Sequence, residues 1–356
     1  MDGRSKDFRE VQYLNAPLPI DSALLKSSVF RADLTAVKLG RYPFRGAIKY
    51  YCAFQEGNLG KSTMDVDKRK LQQFAGVFEE LKASKVILST DPRKFTQAHI
   101  SEFMIWMKSR NLNLSTQEKY LQILDRLLML FGNDVIRRMR SDPLVHLPKG
   151  NRDKPIRALS IEDVQKIFKA SEKVEGYTGI VLRGAISILF GTAIRPKELV
   201  EGLMEDVDLN TKMYFVRHPK GEGSWAEPQW TPIIRGDMIP KIQAFLCERK
   251  AYLDKKKISS DYLFVNPVTL LPITPYSLRK MKKRLEKISG VQFRLKDFRS
   301  TVATLLVEGN LANLPAVSLL LRHKSVSTTS TYYTRINRNK EIKDALDELW
   351  KKKAIQ

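Results

Sequence analysis

Residues 141–157 read SDPLVHLPKGNRDKPIR, and no other segment restricts the fold of this chain as much. Pro143, Pro148 and Pro155 fall within it. Proline lacks the backbone N–H and clashes with the preceding turn, so neither a helix interior nor a central strand continues through such a segment. The chain must therefore close one core before this linker and a second core after it. At 356 residues it is long enough to build two.

The segment before the linker is patterned for helices. From Ser62 onward, Val66, Leu71, Phe74, Val77, Phe78 and Leu81 recur near helical spacing. After the turn at Thr90–Asp91–Pro92, Ile100, Phe103, Met104 and Met107 form a second stripe. Tyr120, Ile123, Leu124, Leu127, Leu128 and Leu130 form a third. The expectation is a helical bundle over 61–140. Residues 1–60, broken by Pro17, Pro19 and Pro43, read as an N-terminal extension of uncertain order.

After the linker, 158–356 read as a mixed domain. Ser160 with Asp163 makes a capping-box-like start ahead of Val164, Ile167 and Phe168. The run Ile180–Ile194, broken by Arg183, is too short to span a bilayer and predicts a buried core helix. Met213–Val216 and Thr231–Ile234, separated by the glycine-containing turn at Lys220–Gly223, predict a hairpin or a three-stranded sheet. Thr274–Pro275 opens a helix with Leu278, Met281, Leu285 and Ile288 inward, which Gly290 ends. A last helix spans 341–350, with Ile342, Ala345, Leu346 and Leu349 on one face. The fold class expected is mainly α with a small antiparallel β-sheet.

Composition narrows the function. Lys and Arg number 62 against 39 Asp and Glu, a net charge of +23. Such an excess predicts a polyanionic partner, with nucleic acid ahead of an anionic membrane surface. The opening residues mix both charges around no apolar stretch, which excludes a signal peptide. Cys52 and Cys247 lie far apart and the four histidines form no ligand cluster with them, so neither a disulfide scaffold nor a structural zinc site is expected. The expected setting is cytoplasmic.

Four segments carry the chemistry. They are Gly191-Thr-Ala-Ile-Arg195-Pro-Lys-Glu198-Leu, Leu295-Lys296-Asp-Phe-Arg299, Leu320-Leu-Arg-His323, and Ser327-Thr-Thr-Ser-Thr-Tyr332-Tyr333. A phosphodiester in transfer gathers negative charge on its non-bridging oxygens. Two guanidiniums and an imidazole stabilise that charge, and arginine presents a fork that matches phosphate. A phenol can attack phosphorus and split one transfer into two. No carboxylate cluster for a divalent metal is visible, so the positive charge must come from side chains.

In order and spacing these segments resemble the active-site boxes of the tyrosine recombinase (phage integrase) family. Its pattern runs TGxRxxEL, then HxxR, then LLGH, then a tyrosine after a Ser/Thr run. The resemblance covers about Arg157 to the end, and the preceding bundle looks like the family's core-binding, DNA-clamping domain. It implies that Arg195, Arg299 and His323 clamp the scissile phosphate and that Tyr332 is the nucleophile. The family's tyrosine lies nine positions after the LLGH histidine, and 332 − 323 = 9 selects Tyr332 over Tyr333. It implies for Lys220, on a hairpin, the role of general acid to the leaving 5′ oxygen, set against an ordinary solvated lysine. Lys296 stands where histidine is commonest, either as a base with a lowered pKa or as one more phosphate cation. Arg322 stands for the glycine of LLGH. Glu198 falls at the family's acidic position, where it would orient active-site cations.

The basic face Arg279, Lys280, Lys282, Lys283, Arg284 and Lys287 is expected to lie along phosphates, independently of sequence. The resemblance further implies double-stranded DNA as partner and a tetramer on paired DNA sites, monomeric or dimeric when free. It implies no metal, no cofactor and no membrane. Integration and excision of a mobile element is the favoured task, since dimer-resolving relatives tend to lack an extra N-terminal segment. The alternatives are Xer-type resolution of chromosome dimers, type IB topoisomerase-like relaxation, and a non-enzymatic DNA-binding regulator.

Overall fold

The computed structural model of the chain describes residue 34, residues 37–150 and 157–309, and then 314–322, 325 and 346. It divides into two compact units, Met1–Lys154 and Pro155–Gln356. Helices dominate, and a small antiparallel sheet lies in the second unit, as the sequence pattern leads one to expect.

The first unit holds helices α1 (Pro43–Gln55), α2 (Lys61–Ala83), α3 (Gln97–Ser109), α4 (Leu114–Leu130) and α5 (Val135–Ser141). Its core is aromatic. Phe74 meets Phe103 edge-on at 4.8 Å between ring centres, and Phe78 meets Phe95 at 4.7 Å, spacings at which aromatic pairs attract beyond their area burial. Helix α1 belongs to this core, with Phe44, Ala47 and Tyr51 fully buried. The bundle thus reaches further back than the 61–140 expected. Pro43 does not break the helix because it sits in its first turn, where no intrahelical donor is lost. Within the bundle, Tyr51 donates to the buried carboxylate of Asp67 at 2.8 Å, and Arg126 donates to the same oxygen at 2.6 Å. Val66, expected in the stripe, lies exposed.

The second unit is built around helix α7 (Gly176–Thr192), which is apolar on all sides and buried along most of its length. A helix without a polar face must be enclosed by its neighbours. Helices α6 (Ile161–Glu172) and α9 (Ile239–Lys255) pack on it. Arg183, its one charged residue, reaches Glu248 on α9 at 2.5 Å and two carbonyls, of Ser171 and Val174. At the crossing of α7 and α9, Gly184 faces the ring of Phe245, which stacks on Phe264 at 5.1 Å.

Strands β1 (Val207–Asp208), β2 (Met213–Val216) and β3 (Gln229–Pro232) form an antiparallel sheet in the order β1-β2-β3. Tyr214 opposes Val207 on one side and Thr231 on the other. The short helix α8 (Pro196–Val200) precedes the sheet, and α10 (Pro275–Ser289), α11 (Asp297–Gly309) and α12 (Leu314–Leu320) complete the unit. The beginning and the later part of this unit are tied together. The Leu159 N–H donates to Thr301 Oγ1 at 2.8 Å, and Arg157 pairs with Asp297 at 3.5 Å and bonds the Gln292 carbonyl. Of the last helix expected over 341–350, only Leu346 lies within the described residues; it is helical and exposed. No helix among the described residues is long and apolar enough to cross a membrane.

Candidate active site

The end of α7 sets the first corner of the site. Helix α7 terminates at Ala193, whose backbone is left-handed at φ +55. That turn points its carbonyl at the Arg299 guanidinium, and Nη1 donates to it at 2.8 Å. A carbonyl at a helix C-terminus carries partial negative charge and suits a cation. Arg299 Nη2 also bonds the carbonyl of Leu321. Arg299 comes from the first turn of α11, which Asp297 opens. Asp297, fully buried, accepts the Arg294 N–H at 2.8 Å and Arg294 Nε at 2.9 Å.

Arg195 lies two residues past Ala193, at the cap of α8. Its backbone N–H donates to Glu198 Oε2 at 2.8 Å and its Nη1 to Glu198 Oε1 at 2.8 Å. Its Nη2 reaches the carbonyl of Arg322 at 3.5 Å. Arg195 and Arg299 therefore fasten to consecutive carbonyls, those of Arg322 and Leu321, immediately ahead of His323. These groups are distant in sequence but share one turn in space.

Glu198 is buried at 2% side-chain exposure, and it takes a second guanidinium. Arg322 Nη2 donates to Oε2 at 2.6 Å. Burial alone pushes the Glu198 carboxyl up. The Arg322 charge, the Arg195 N–H and the Arg195 guanidinium outweigh it and hold the group below the ordinary glutamate range. Burial pushes the Arg322 guanidinium down, against the pull of Glu198; an arginine stays charged even so. In the sequence Arg322 stands out only as a departure from the glycine of LLGH. Its burial and its ion pair have no signal in the pattern, because they depend on how the turn at 321–322 meets α8.

Lys296 is exposed and sits directly before α11. Lys220 is exposed in the turn after β2. Gly221, at φ +97, has the Trp225 ring against its α-carbon, and a Cβ there would stand 2.2 Å from that ring. Only glycine closes this turn. The strand below is anchored by Arg217, which donates to the buried Asp206 at 2.8 Å. His323 and Tyr332, with Tyr333, lie outside the described residues.

The basic face of α10 is divided. Arg279, Lys280, Lys283, Arg284 and Lys287 are exposed. Lys282 is turned inward, donating to the Phe293 carbonyl at 2.5 Å and pairing with Glu286 at 2.5 Å. Its charge is used within the unit. Ile288, expected inward, is 42% exposed. Among the described residues, no three His, Cys, Asp or Glu side chains gather as a metal-binding set.

Two guanidiniums held on main-chain carbonyls, with a buried carboxylate behind one of them, form a cationic corner suited to a phosphodiester. Comparison with known proteins places the chain in one family. Residues 157–340 match the family model described as the phage integrase family. The chain is 26% identical to tyrosine recombinase XerD of Listeria monocytogenes serotype 4b (strain F2365), over 78% of this chain and 89% of that protein. It is 27% identical to tyrosine recombinase XerC of Natranaerobius thermophilus, over 79% of this chain and 90% of that one. In fold it is similar to the XerH site-specific recombinase bound to palindromic difH substrate. There the TM-score is 0.59 at 17% identity, covering 92% of this chain and 94% of that one. It is also similar to the Tn1549 transposon integrase in complex with transposon right end DNA. There the TM-score is 0.59 at 15% identity, over 85% and 99% of the two chains.

Proposed function

The chain belongs to the phage integrase family of tyrosine recombinases, enzymes that cleave and rejoin DNA, and we propose that it integrates and excises a mobile element. One observation carries the assignment of chemistry to residues: Arg195 and Arg299 converge on the two carbonyls that precede His323. In this reading Arg195, Arg299 and His323 bind the scissile phosphate and take up the charge that grows on its oxygens. The Tyr332 hydroxyl attacks phosphorus. The bond to the 5′ oxygen breaks, leaving a 3′-phosphotyrosine and a free 5′-hydroxyl. Lys220 supplies the proton to that leaving oxygen, and Lys296 stands by as base or as a further phosphate cation. A 5′-hydroxyl of the partner strand then reverses the step. The phosphotyrosine keeps the bond energy, so the cycle consumes no ATP.

Residues 61–140 and 158–356 are each proposed to contact duplex DNA, with the linker 141–157 along the backbone. The exposed face of α10, Arg279, Lys280, Lys283, Arg284 and Lys287, adds phosphate contacts. The enzyme is proposed to work as a tetramer in the cytoplasm; a lambda integrase of similar fold (TM-score 0.53) was solved as a tetramer bound to a Holliday junction. A second reading, Xer-type dimer resolution, is favoured by the likeness to XerD and XerC. The mobile-element reading rests on residues 1–33 alone, because the bundle core already begins at Leu34.

The test of the chemistry uses a suicide duplex. The full chain selects its site from a random-sequence duplex library, and the selected site is nicked beside the scissile phosphate. A covalent protein–DNA adduct is expected with the unaltered protein and with Tyr333→Phe, but not with Tyr332→Phe. An adduct that survives Tyr332→Phe and vanishes in Tyr333→Phe would reassign the nucleophile.

A further inference from the structure

Arg322 occupies a position where the family pattern has glycine, and its backbone keeps the left-handed conformation, at φ +48, that favours glycine. A bulky residue there is locally unfavourable. Its side chain deepens the anomaly. It is 5% exposed, and its Nε and Nη1 are buried with no hydrogen-bond partner among the described residues. Such orphaned donors cost free energy. The guanidinium makes one strong bond, to Glu198 Oε2 at 2.6 Å. A buried ion pair is poor evidence for stability in general, and this one carries added strain. Arrangements of this kind concentrate where function demands them.

The charges around Glu198 show what is gained. Arg195 and Arg322 share one carboxylate, so the group sums to 2 − 1 = +1. With glycine at 322, Arg195 and Glu198 remain alone, 2.8 Å apart, and sum to zero. In a buried setting, a carboxylate so close cancels much of the field that Arg195 presents to an incoming anion. Resting on the reading of Arg195 as a ligand of the scissile phosphate, we propose that Arg322 is a positioning residue that neutralises Glu198 and so leaves the Arg195 charge available to the phosphate. Glu198 still orients Arg195 through both its backbone N–H and Nη1. Arg322 removes the electrostatic penalty of that orientation.

The experiment measures two quantities on the selected duplex with the full-length chain: binding by fluorescence anisotropy, and single-turnover adduct formation on the nicked form. Arg322→Gly suits the test because glycine adopts φ +48 without strain, and unchanged anisotropy binding with the same preparation reports that the fold is kept. It is expected to slow adduct formation by roughly tenfold, less than the hundredfold or more that losing a direct charge-stabilising donor costs. Its Kd should stay within about twofold of the unaltered protein's, since most affinity comes from phosphate contacts elsewhere. Adding Glu198→Gln to Arg322→Gly should recover part of the rate, because the amide oxygen still accepts one of the two Arg195 donors while the group no longer cancels the Arg195 charge. Arg322→Lys, which keeps the charge, should fall between the two. A fully active Arg322→Gly, or a double variant no faster than the single one, would overturn the proposal while leaving the recombinase reading intact. No adduct with the unaltered protein would overturn both.

Discussion

Replacing Gly184 by alanine sets two opposing terms against each other inside the core that positions the site. In an exposed helix interior, Gly→Ala stabilises by about 1 kcal/mol, because alanine restricts the unfolded chain. At Gly184 an added Cβ would stand 2.4 Å from Phe245 Cδ2, 2.5 Å from Cγ and 2.6 Å from Cε2. Carbon atoms settle at about 3.5–4.0 Å, so the ring would have to retreat by about 1 Å. It has nowhere to turn: Phe245 is 1% exposed and stacks on Phe264 with ring planes 14° apart. The two helices must part instead. Overpacking of this kind costs about 1–3 kcal/mol, and contact with three ring atoms places it near the upper end. The net expectation is a loss of about 2 kcal/mol, opposite in sign to helix propensity. Gly76 supplies the control. It sits inside α2, and a Cβ there meets nothing within 4 Å. Gly76→Ala should stabilise its unit by about 1 kcal/mol. Urea unfolding monitored by hydrogen–deuterium exchange on peptides from each unit separates the two effects. A higher midpoint for α7 peptides in Gly184→Ala would show that the Phe245 ring does not lie on that glycine, and the packing account of the site's foundation would fail.

Three further outcomes are expected. Ala193→Gly should raise the stability of the second unit by about 1 kcal/mol in thermal or urea unfolding, because alanine at φ +55 carries left-handed strain that glycine does not. An unchanged or lower midpoint would count against that strain. Tyr214→Phe should be neutral or stabilising by about 1 kcal/mol, since the buried Tyr214 hydroxyl has no partner among the described residues; a clear drop in Tm would reveal a hydrogen bond it does make. Burial, before any other cause, pushes the phenols of Tyr51 and Tyr177 up to about 12. An unfolded tyrosine loses its proton near pH 10, so between about pH 10 and 12 the folded state holds more protons and stability falls as pH rises. Tyr51→Phe should flatten that fall in the first unit, and an unaltered slope would place the phenol in water.

Much of this was legible in the sequence, for identifiable reasons. Helix starts were readable where the cap is a local bond, as at Ser160, which accepts the Asp163 N–H at 3.1 Å, and at Thr274, which accepts that of Ser277 at 3.1 Å. Gly290, at φ +72, ends α10 as the pattern predicts. Helix α1 was missed because three prolines in 1–60 read as breaks, whereas Pro43 lies where a helix tolerates it. On α10 the period was right but the stripe is narrow: Ile288 drifts to the surface, and Lys282 reaches inward to a carbonyl that comes from the following loop. Residue types and spacing singled out Arg195, Glu198 and Arg299, which the structure brings to residues 321–322. What the sequence could not show was the contact between residues 195–198 and 321–322, because no local rule links a short helix to a turn more than a hundred positions away.

The ties between Arg157 or Leu159 and residues 292–301 bear on the order in which the protein folds as it is made. A chain emerging from the ribosome completes residues 1–154 first, and that helical unit, with its own core, can close as it appears. The second unit cannot. The Leu159 N–H waits for Thr301, Arg157 waits for Asp297, and Arg195 waits for the carbonyl of Arg322. Contacts between residues so far apart in sequence form slowly and late. The first unit is therefore folded before the second is closed. On the proposed reading of the site, a chain stopped before residue 299 would carry Arg195 without Arg299, and so would have a folded first unit and no two-arginine corner with which to cut.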